Sequence, residues 1–555
     1  MKFTTMTFIK TTLLFCTIAI LFGCTTSTKQ AETRTVFKYN ESSGINSLDP
    51  AFAKDQSTTW ATNQLYNGLV QMNNKLEVKP CIAKRWTVSA DGLKYTFTLR
   101  NDVYFHNHEL FPNSKGRKVI ASDFVNSFFR IIDEMVASPG AWIFNNIDRS
   151  EKSGYLGFEA ENDTTLNIYL NKPFPPFLGL LTMQYCSVVP HEIVEHYGKD
   201  FRNHPVGTGP FQFKLWKEGV KLVLLKNENY FERDNIGKPL PYLDAVAITF
   251  VSDKQTEFLD FVKGNIDFIS GMDGRGSYKD EILTPDGKLN PKYASTMLLQ
   301  SQPYLNTEYI GIYVDENQVG KATNPLHNKL VRQAISHGID KQKLISYMRN
   351  NIGTAAINGI VPKGLPSFSN NVKGYEYNPA KAKKLLAEAG YDGTKKMPII
   401  KISTTEKRLD IFEFIQNQLS EIGVNVNLEV NPSAVHRQMI AKSALNSFWA
   451  SWIADYPDAE NYFTLFYSKN FSPAGPNTTH FKNAEFDKLY EQSQNETADS
   501  LRYKTYQRMD QLLMNEAPII PLYYDQVIRL YRNNIDGLES NALNLLILKN
   551  VKKNN

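Results

Sequence analysis

An acidic run in an aromatic setting is the feature of this sequence with the most evident potential for chemistry. Residues 447–463 read SFWASWIADYPDAENYF, and Asp455, Asp458 and Glu460 stand there among tryptophan, tyrosine and phenylalanine. Carboxylates are seldom buried unless something positive compensates them. These acids could therefore face a metal ion, a catalytic partner, an arginine or lysine of the same chain, or a positive group on a ligand.

Elsewhere in the sequence, the motifs that would indicate a metal site or catalysis are incomplete or missing. His191 and His196 are five residues apart, which does not stack them on one helix face, and neither HExxH nor HxxEH is present. His106 and His108 share one strand face but lack a third ligand. GTGP at 207–210 lacks the Lys-Ser/Thr of a phosphate loop, and the sequence has no G-x-S-x-G elbow. We expect no enzyme activity, no metal and no cofactor.

The length and charge of the chain bound its class. At 555 residues it is too long for one small core, and two or three domains are expected. The 12% of aromatic residues fit a large aromatic-lined cavity or simply a large core. A net charge of +5, from 62 basic and 57 acidic residues, is too balanced for a nucleic-acid binder.

The N-terminus has the pattern of an export signal. Two lysines precede an apolar stretch that ends at Phe22, too short to span a bilayer stably but suited to a signal-peptide core. LFGC at 21–24 resembles the bacterial lipobox, which implies cleavage before Cys24 and lipid on that cysteine. The alternative is an ordinary secretion signal with a chance cysteine. We predict a lipoprotein signal peptide at 1–23 and a polar tether at 24–34.

Two cysteines remain in the exported body, Cys81 and Cys186. An exported context permits a disulfide between them. Each also stands where an apolar residue would serve, so two separate buried thiols are an equally open alternative.

Strand and helix patterns alternate from Thr35 onwards without tandem repeats. FQFKLW and KLVLLKN predict a hairpin around Gly219, and residues 58–70 predict a helix. Strand PIIKIST, helix LDIFEFIQNQLSEIG and strand VNVNLEV predict a βαβ-like unit. A helix at 500–516 ends before Pro518, and the strand IIPLYY and then VIRLYR follow it.

Short stretches along almost the whole chain resemble, in the same order, those of the bacterial ABC-transporter solute-binding proteins of the peptide, dipeptide, oligopeptide and nickel class, known as family 5. Any one stretch alone would be weak evidence, but together they are specific. They include SLDPA (47–51), LYNGLV (65–70), PCIAKRWTVSADGLKYTFTLRNDVYFH (80–106), VIASDFVNSFFR (119–130), PVGTGPFQF (205–213), KLVRQAISHGIDKQKLI (329–345), YNPAKAKKLLAEAGY (377–391) and PIIPLYY (518–524).

The resemblance implies an α/β, two-lobed fold of the periplasmic-binding-protein type (class II, cluster C) with an interlobe cleft. Lobe I would comprise residues 35–310, with an extra subdomain at about 50–195, and lobe II residues 311–525. Residues 526–555 would return to lobe I. Hinge crossings would lie near Tyr309 to Gly311 and at Tyr523-Tyr524, and the lobes would close on the ligand.

In the peptide-binding members, an aspartate in a Trp-x-Ala/Gly-Asp-Tyr/Asn stretch pairs with the ligand's α-amino group. The matching stretch here is Trp452-Ile453-Ala454-Asp455-Tyr456. A buried ammonium needs a compensating carboxylate and benefits from an aromatic neighbour such as Trp452. The alternative is that Asp455 caps the local turn or pairs with an internal arginine. For Asp458, Glu460 and Asn461 we favour roles in the turn or the start of a helix.

Three further positions carry weaker expectations from the resemblance. Lys407 and Arg408 fall where relatives place a partner for the ligand carboxylate, although a solvated helix start explains them as well. Trp449 stands where some oligopeptide-binding members have an arginine, so that subsite should be more apolar or take its charge from elsewhere. Asp55, with the neighbouring Ser57 and Thr58, would contribute from lobe I.

The function that follows is that of a monomeric receptor, anchored by lipid on Cys24 to the outer face of the cytoplasmic membrane or in the periplasm. It would deliver short peptides to a membrane permease and its ATPases. Relatives of the same fold bind nickel chelates, haem or oligosaccharides, so a non-peptide ligand is the alternative. A hydrolase or a signalling co-receptor is a third possibility, and the lack of a catalytic constellation argues against the hydrolase.

Overall fold

The computed structural model describes residues 34–150, 156–271, 279–315, 317 and 323–554. Residues Val36–Asn555 form one compact unit. The predicted signal peptide and Cys24, together with the tether up to residue 33, lie outside the described residues. In the part that is described, no helix is both long enough and apolar enough to cross a membrane.

Strands and helices alternate through this unit, as the sequence patterns predict. The strands are β1 Val36–Asn40, β2 Val70–Met72, β3 Val78–Pro80, β4 Ala83–Val88, β5 Lys94–Leu99, β6 Phe158–Asn162, β7 Thr165–Tyr169, β8 Phe211–Lys217, β9 Lys221–Lys226, β10 Ala245–Thr249, β11 Phe268–Ser270, β12 Met297–Ile312, β13 Thr354–Ala355, β14 Ile400–Thr404, β15 Val426–Val430, β16 Ser447–Ile453, β17 Ile519–Arg532, β18 Ile535–Asp536 and β19 Lys552–Lys553. The helices are α1 Gln56–Leu65, α2 Ala121–Ile132, α3 Phe177–Leu180, α4 His191–Tyr197, α5 Lys254–Val262, α6 Lys279–Ile282, α7 Lys329–Gly338, α8 Lys341–Met348, α9 Pro379–Glu388, α10 Leu409–Glu421, α11 Ser433–Ala441, α12 Glu460–Phe463, α13 Ala484–Ser493 and α14 Asp499–Glu516.

One large mixed sheet connects the N-terminal and C-terminal parts of the unit. Its strand order is β15-β14-β16-β12-β17-β11-β1-β10-β9-β8, with β13 paired to β17. The long strands β12 and β17 run antiparallel from Met297↔Arg532 to Gly311↔Ile519. Their register shifts between Pro303 and Thr307, where the proline cannot donate a ladder hydrogen bond. β17 covers both IIPLYY and VIRLYR as one continuous strand.

A second, four-stranded antiparallel sheet has the order β4-β5-β7-β6 and lies wholly within residues 83–169. Helix α2 packs against it through apolar positions such as Phe124 and Phe128, which are fully buried. This sheet falls inside the range expected for the extra subdomain.

The predicted βαβ-like unit and the predicted hairpin are confirmed, since β14 and β15 pair in parallel on either side of α10 and β8 pairs with β9. The helix predicted at 58–70 is wrong in its boundaries. It begins at Gln56, because Asp55 caps its N-terminus, and ends at Leu65. After Leu65 the chain becomes extended at Tyr66, passes Gly68, where an added Cβ would lie 3.3 Å from the Cys186 carbonyl oxygen, and enters strand β2.

Cys81 and Cys186 are both free and buried, so the disulfide alternative does not apply. Burial raises the pKa of the Cys81 thiol to about 12 and raises that of Cys186 further. The two thiols pack as small apolar groups in the N-terminal core.

Candidate ligand-binding site

Strand β16 carries the aromatic half of the acidic run, and one of its edges is open. β12 pairs with the whole strand, from Ser447 to Ile453. On the other side, β14 reaches it only through the pair Ser403↔Phe448, because β14 ends at Thr404 and the chain turns into a helix. In the described part of the sheet, the edge of β16 beyond Phe448 therefore has no strand partner.

A cavity of about 620 Å³ lies against this open edge. Successive side chains of a strand point to opposite faces, so a cavity on one face would touch every second residue. Here four consecutive residues line the cavity, which places the backbone edge itself against the empty space. The lining residues are Tyr309, Thr405, Lys407, Arg408, Ser433, His436, Arg437, Ile440, Ala441, Trp449, Ala450, Ser451, Trp452, Leu465, Pro476 and Thr478.

Asp455 follows the open strand and is held by one amide side chain. Its backbone N–H donates to Asn461 Oδ1 at 3.1 Å, and Asn461 Nδ2 donates weakly to the Asp455 carboxylate at 3.4 Å. The residue keeps contact with solvent, yet enough protein surrounds it that desolvation raises the pKa of its carboxyl above the ordinary value. Among the described residues, no arginine, lysine or histidine forms an ion pair with Asp455.

The other two acids of the run are compensated from within the chain. Asp458 forms an ion pair with Arg502 at 3.2 Å, and it accepts a hydrogen bond of 2.7 Å from the Tyr506 hydroxyl. Burial alone would lower the pKa of the Arg502 guanidinium, but the charge of Asp458 helps to raise it instead. Glu460 starts α12 and is buried, and its carboxylate accepts hydrogen bonds from the hydroxyls of Tyr456 and Tyr490. The internal arginine considered as a partner for Asp455 is therefore taken by Asp458.

The neighbours of Asp455 in the sequence divide between the cavity and the core. Trp452 lines the cavity, and its indole N–H donates to Asn461 Oδ1 at 2.8 Å, so one amide orients both Trp452 and Asp455. Ala454 is buried and donates from its backbone to Leu305 at 2.8 Å. Tyr456 is also buried, in the N-terminal hydrophobic cluster.

Asp55, in the N-terminal part of the chain, acts electrostatically on the same tyrosine as Asp455. Its carboxylate caps α1 by accepting from Thr58 N at 2.9 Å and from Ser57 Oγ at 2.7 Å. Burial raises the pKa of Tyr185 to about 12, and the charges of Asp455 and Asp55 add to this rise. Asp55 and Asp455, which are 400 positions apart in the sequence, thus both act electrostatically on Tyr185, a residue that the sequence did not indicate.

Trp449 lies above a buried ion pair. Its indole N–H donates to Glu308 Oε2 at 2.5 Å, and Arg408 pairs with Glu308 Oε1 at 3.0 Å while lying 5.4 Å from the Trp449 ring. The His436 ring stacks on the Trp449 ring, with the two ring centroids 5.7 Å apart. Arg408 therefore brings a guanidinium to this subsite, and Glu308 balances its charge. In the sequence, Glu308 directly precedes YIGIYV in the largely polar stretch SQPYLNTE, which gives no signal of a buried acid.

Lys407 is exposed at the rim of the cavity, and within the described ranges it makes no ion pair. Those ranges also contain no group of three or more His, Cys, Asp or Glu side chains that could hold a metal ion. Asp455 follows the C-terminal end of β16, and the basic side chains of Lys407, Arg408 and Arg437 line the cavity.

Comparison with known proteins identifies a family and several relatives that this chain resembles. Residues 77–473 match the family described as bacterial extracellular solute-binding proteins, family 5. The glutathione-binding protein of Salmonella typhimurium is 26% identical over 509 residues, covering 89% of this chain and 90% of that protein. Heme-binding protein A of Haemophilus influenzae is 29% identical, with coverage of 83% and 82%. The periplasmic binding protein DppA of Helicobacter pylori, in complex with the peptide STSA, superposes with a TM-score of 0.73 at 26% identity, covering 94% of this chain and 99% of DppA.

The fold is that of the two-lobed periplasmic solute-binding proteins. The chain belongs to the bacterial extracellular solute-binding proteins, family 5. It is accordingly the exported binding component of an ABC importer, and such proteins work with permease and ATPase subunits. Its relatives are solute-binding proteins rather than enzymes, and those named above bind different solutes.

Proposed function

We propose that this protein captures short peptides and delivers them to its permease while anchored by lipid on Cys24. The observation that carries the proposal is the open edge of β16, which lines the cavity and leads directly to the uncompensated carboxylate of Asp455. A peptide has a partner for each of these groups: its main chain can form hydrogen bonds with the open edge of β16, and its ammonium group can pair with the carboxylate of Asp455.

The ammonium argument rests on the state of Asp455. Desolvation raises the pKa of this carboxyl, which means that its surroundings do not fully compensate the ionised form. A peptide α-ammonium would supply the missing charge through a charge-assisted hydrogen bond. The adjacent Trp452 ring offers a cation–π contact to the same group.

The main-chain argument rests on β16. Extended peptides commonly add a strand to an exposed sheet edge, where main-chain hydrogen bonds provide affinity for any sequence. Ligand side chains would then project alternately, some of them into the cavity beside Trp449. The relative from Helicobacter pylori that shares this fold is described in complex with a peptide.

Closure would join two surfaces around the ligand. We assign residues 35–310 and 526–555 to lobe I and residues 311–525 to lobe II, with hinge strands β12 and β17. Asp55 and Tyr185 come from the first lobe, Asp455 from the second, and Tyr456 packs at 6.2 Å from Trp142 of the first. Binding energy gained at both surfaces would favour the closed form.

Thermal-shift screening of the purified protein with pools of di- to pentapeptides tests the proposal. A peptide present at about a hundred times its Kd should stabilise the protein by about 2.7 kcal/mol. The same pools with acetylated N-termini serve as the matched control and should stabilise far less. No stabilisation by any free-amine pool, together with mass-spectrometric detection of haem, a nickel chelate or a sugar retained from the producing cells, would overturn the peptide assignment.

A further inference from the structure

A second cavity, of about 220 Å³, lies apart from the one beside β16. The residues that line it come mainly from three stretches of the chain, 63–74, 182–187 and 537–550. None of the lining residues belongs to 311–525, the range assigned to lobe II. This cavity therefore lies within lobe I and is separate from the proposed peptide site.

Carboxamides are the commonest side chains in the wall of this cavity. They include those of Asn63, Gln64, Asn67, Gln71, Gln184 and Asn550. A carboxamide presents a hydrogen-bond donor and a hydrogen-bond acceptor side by side, and a hydroxyl group can both donate and accept at one oxygen atom. A wall of this kind is therefore complementary to a solute that carries several hydroxyl groups.

The charged side chains at this cavity give no unpaired charge to an ionised solute. Lys549 forms an ion pair with Glu232, and Lys79 forms one with Glu77 at 2.8 Å. Glu539 is exposed to solvent and accepts a hydrogen bond from a carboxamide of the wall. An ionised solute would lose hydration in the cavity without gaining a partner of opposite charge, so we expect the solute to be uncharged.

Two buried polar side chains in the wall have hydrogen-bonding capacity that the described part of the chain leaves unused. Gln64 is only 1% exposed. Its Nε2 donates to the carbonyl oxygens of Trp60 and Leu546, each at 2.9 Å, whereas its Oε1 accepts from no described group. Ser187 is 4% exposed, and its hydroxyl has no hydrogen-bond partner among the described residues. Because buried polar groups are nearly always satisfied, we expect water or a solute in the cavity to supply these partners.

We propose that this cavity binds one small uncharged polyol, of the size of a monosaccharide or an inositol. A water molecule has a share of about 30 Å³ in the liquid, so the cavity has room for about seven waters or for one such solute. Hydroxyl groups of the solute would donate to Gln64 Oε1 and exchange hydrogen bonds with Ser187 and the half-buried Asn550. Since the site lies within one lobe, it can be filled while a peptide occupies the cleft.

Thermal-shift screening of the full chain with neutral monosaccharides and inositols at millimolar concentration, followed by isothermal titration of the polyol that stabilises it most, tests the proposal. That polyol should bind, and its phosphorylated or carboxylated counterpart should bind far more weakly. Ser187→Ala should weaken polyol binding about fivefold, the effect of one neutral hydrogen bond, and Asn550→Leu should weaken it further. Ser367→Ala is the matched control, because this serine is 3% exposed and lies outside the cavity lining, and it should leave the affinity unchanged.

Each other outcome overturns the inference. If no polyol of the panel binds in the titration, or if Ser187→Ala and Ser367→Ala bind it equally well, the cavity holds water alone. General stabilisation by sugars would appear in the thermal shift of every variant alike and would give no binding heat. If Trp452→Ala abolishes polyol binding while Ser187→Ala leaves it intact, the solute occupies the interlobe cleft instead. None of these results bears on the capture of peptides at Asp455, because the two sites share no residue.

Discussion

Two aspartates three positions apart in the same run should respond in opposite ways to the same substitution. Asp458→Asn removes the carboxylate that compensates Arg502, whose side chain is only 5% exposed. Asp455→Asn removes a carboxylate that is exposed, that no cation of the described chain compensates, and whose pKa is raised by desolvation. The first change should therefore destabilise the protein, whereas the second should affect only ligand binding.

The magnitudes follow from these contacts. Breaking a buried ion pair by removing one partner costs roughly 3–5 kcal/mol. Asparagine at 458 can still accept from the Tyr506 hydroxyl, and Arg502 keeps a second contact to the exposed Asp499 at 2.8 Å. We therefore expect a loss of about 2–3 kcal/mol at pH 7, below the full range. For Asp455→Asn we expect a change within about 0.5 kcal/mol, or a slight gain, as for other accessible sites.

Guanidinium unfolding of the ligand-free proteins, followed by tryptophan fluorescence, measures both changes. Peptide titration of the folded variants provides the second readout, in which Asp458→Asn should stay near the wild-type affinity and Asp455→Asn should not. Equal destabilisation by the two substitutions would refute the reasoning, because it would mean that Asp455 is a structural acid like its neighbour.

Three further predictions concern buried groups away from the cleft. Burial raises the pKa of Asp510 to about 7, so the folded protein holds the proton of this carboxyl more tightly than the unfolded chain does. The protonated Asp510 therefore contributes fully to stability below about pH 4, and this contribution is lost as the pH rises through about 7. Asp510→Asn should thus become relatively more stable across that window, by up to about 4 kcal/mol in unfolding titrations, and parallel pH curves would contradict this. Arg349→Met should cost about 3 kcal/mol of unfolding free energy, since it removes the cation of the buried ion pair while Asp525 keeps hydrogen bonds from Gln526 N and Asn306; an unchanged denaturation midpoint would speak against it. Alkylation under denaturing, non-reducing conditions should modify both Cys81 and Cys186, and protection of the pair would indicate a disulfide.

Much of the fold could be predicted because its signals are local. The βαβ-like unit follows from strand and helix periods separated by clear stops, and β14, α10 and β15 lie where those periods indicate. The boundaries predicted for the helix at 58–70 are wrong, because the helix runs from Gln56 to Leu65. Residues after Leu65 have helical spacing, but the chain is extended at Tyr66, and Gly68 lies close to the backbone carbonyls of residues 181 and 186.

The candidate site could be predicted only in part, because its electrostatics depend on partners distant in sequence. Asp455 and Asp458 look alike within the run, and what separates them is Arg502, a residue of α14. Likewise, nothing in the sequence near Asp55 indicates that its charge and that of Asp455 both raise the pKa of Tyr185. The resemblance to a known family predicts a ligand-binding role for Asp455. The contacts of its neighbours agree with that prediction, because Asp458 pairs with Arg502 and Asp455 has no ion pair among the described residues.

Calorimetric titration of a free-amine tetrapeptide and its N-acetylated twin into the wild-type protein and the Asp455→Asn variant tests the central claim most directly. Removing one partner of a buried, hydrogen-bonded charge pair at a binding site costs about 2–5 kcal/mol, so the wild-type protein should prefer the free amine to the acetylated one by at least about thirtyfold. The variant should bind both peptides with the weak affinity that the wild-type protein shows for the acetylated one. An undiminished preference for the free amine in the variant would contradict the assignment of Asp455 as the partner of the ligand's ammonium group.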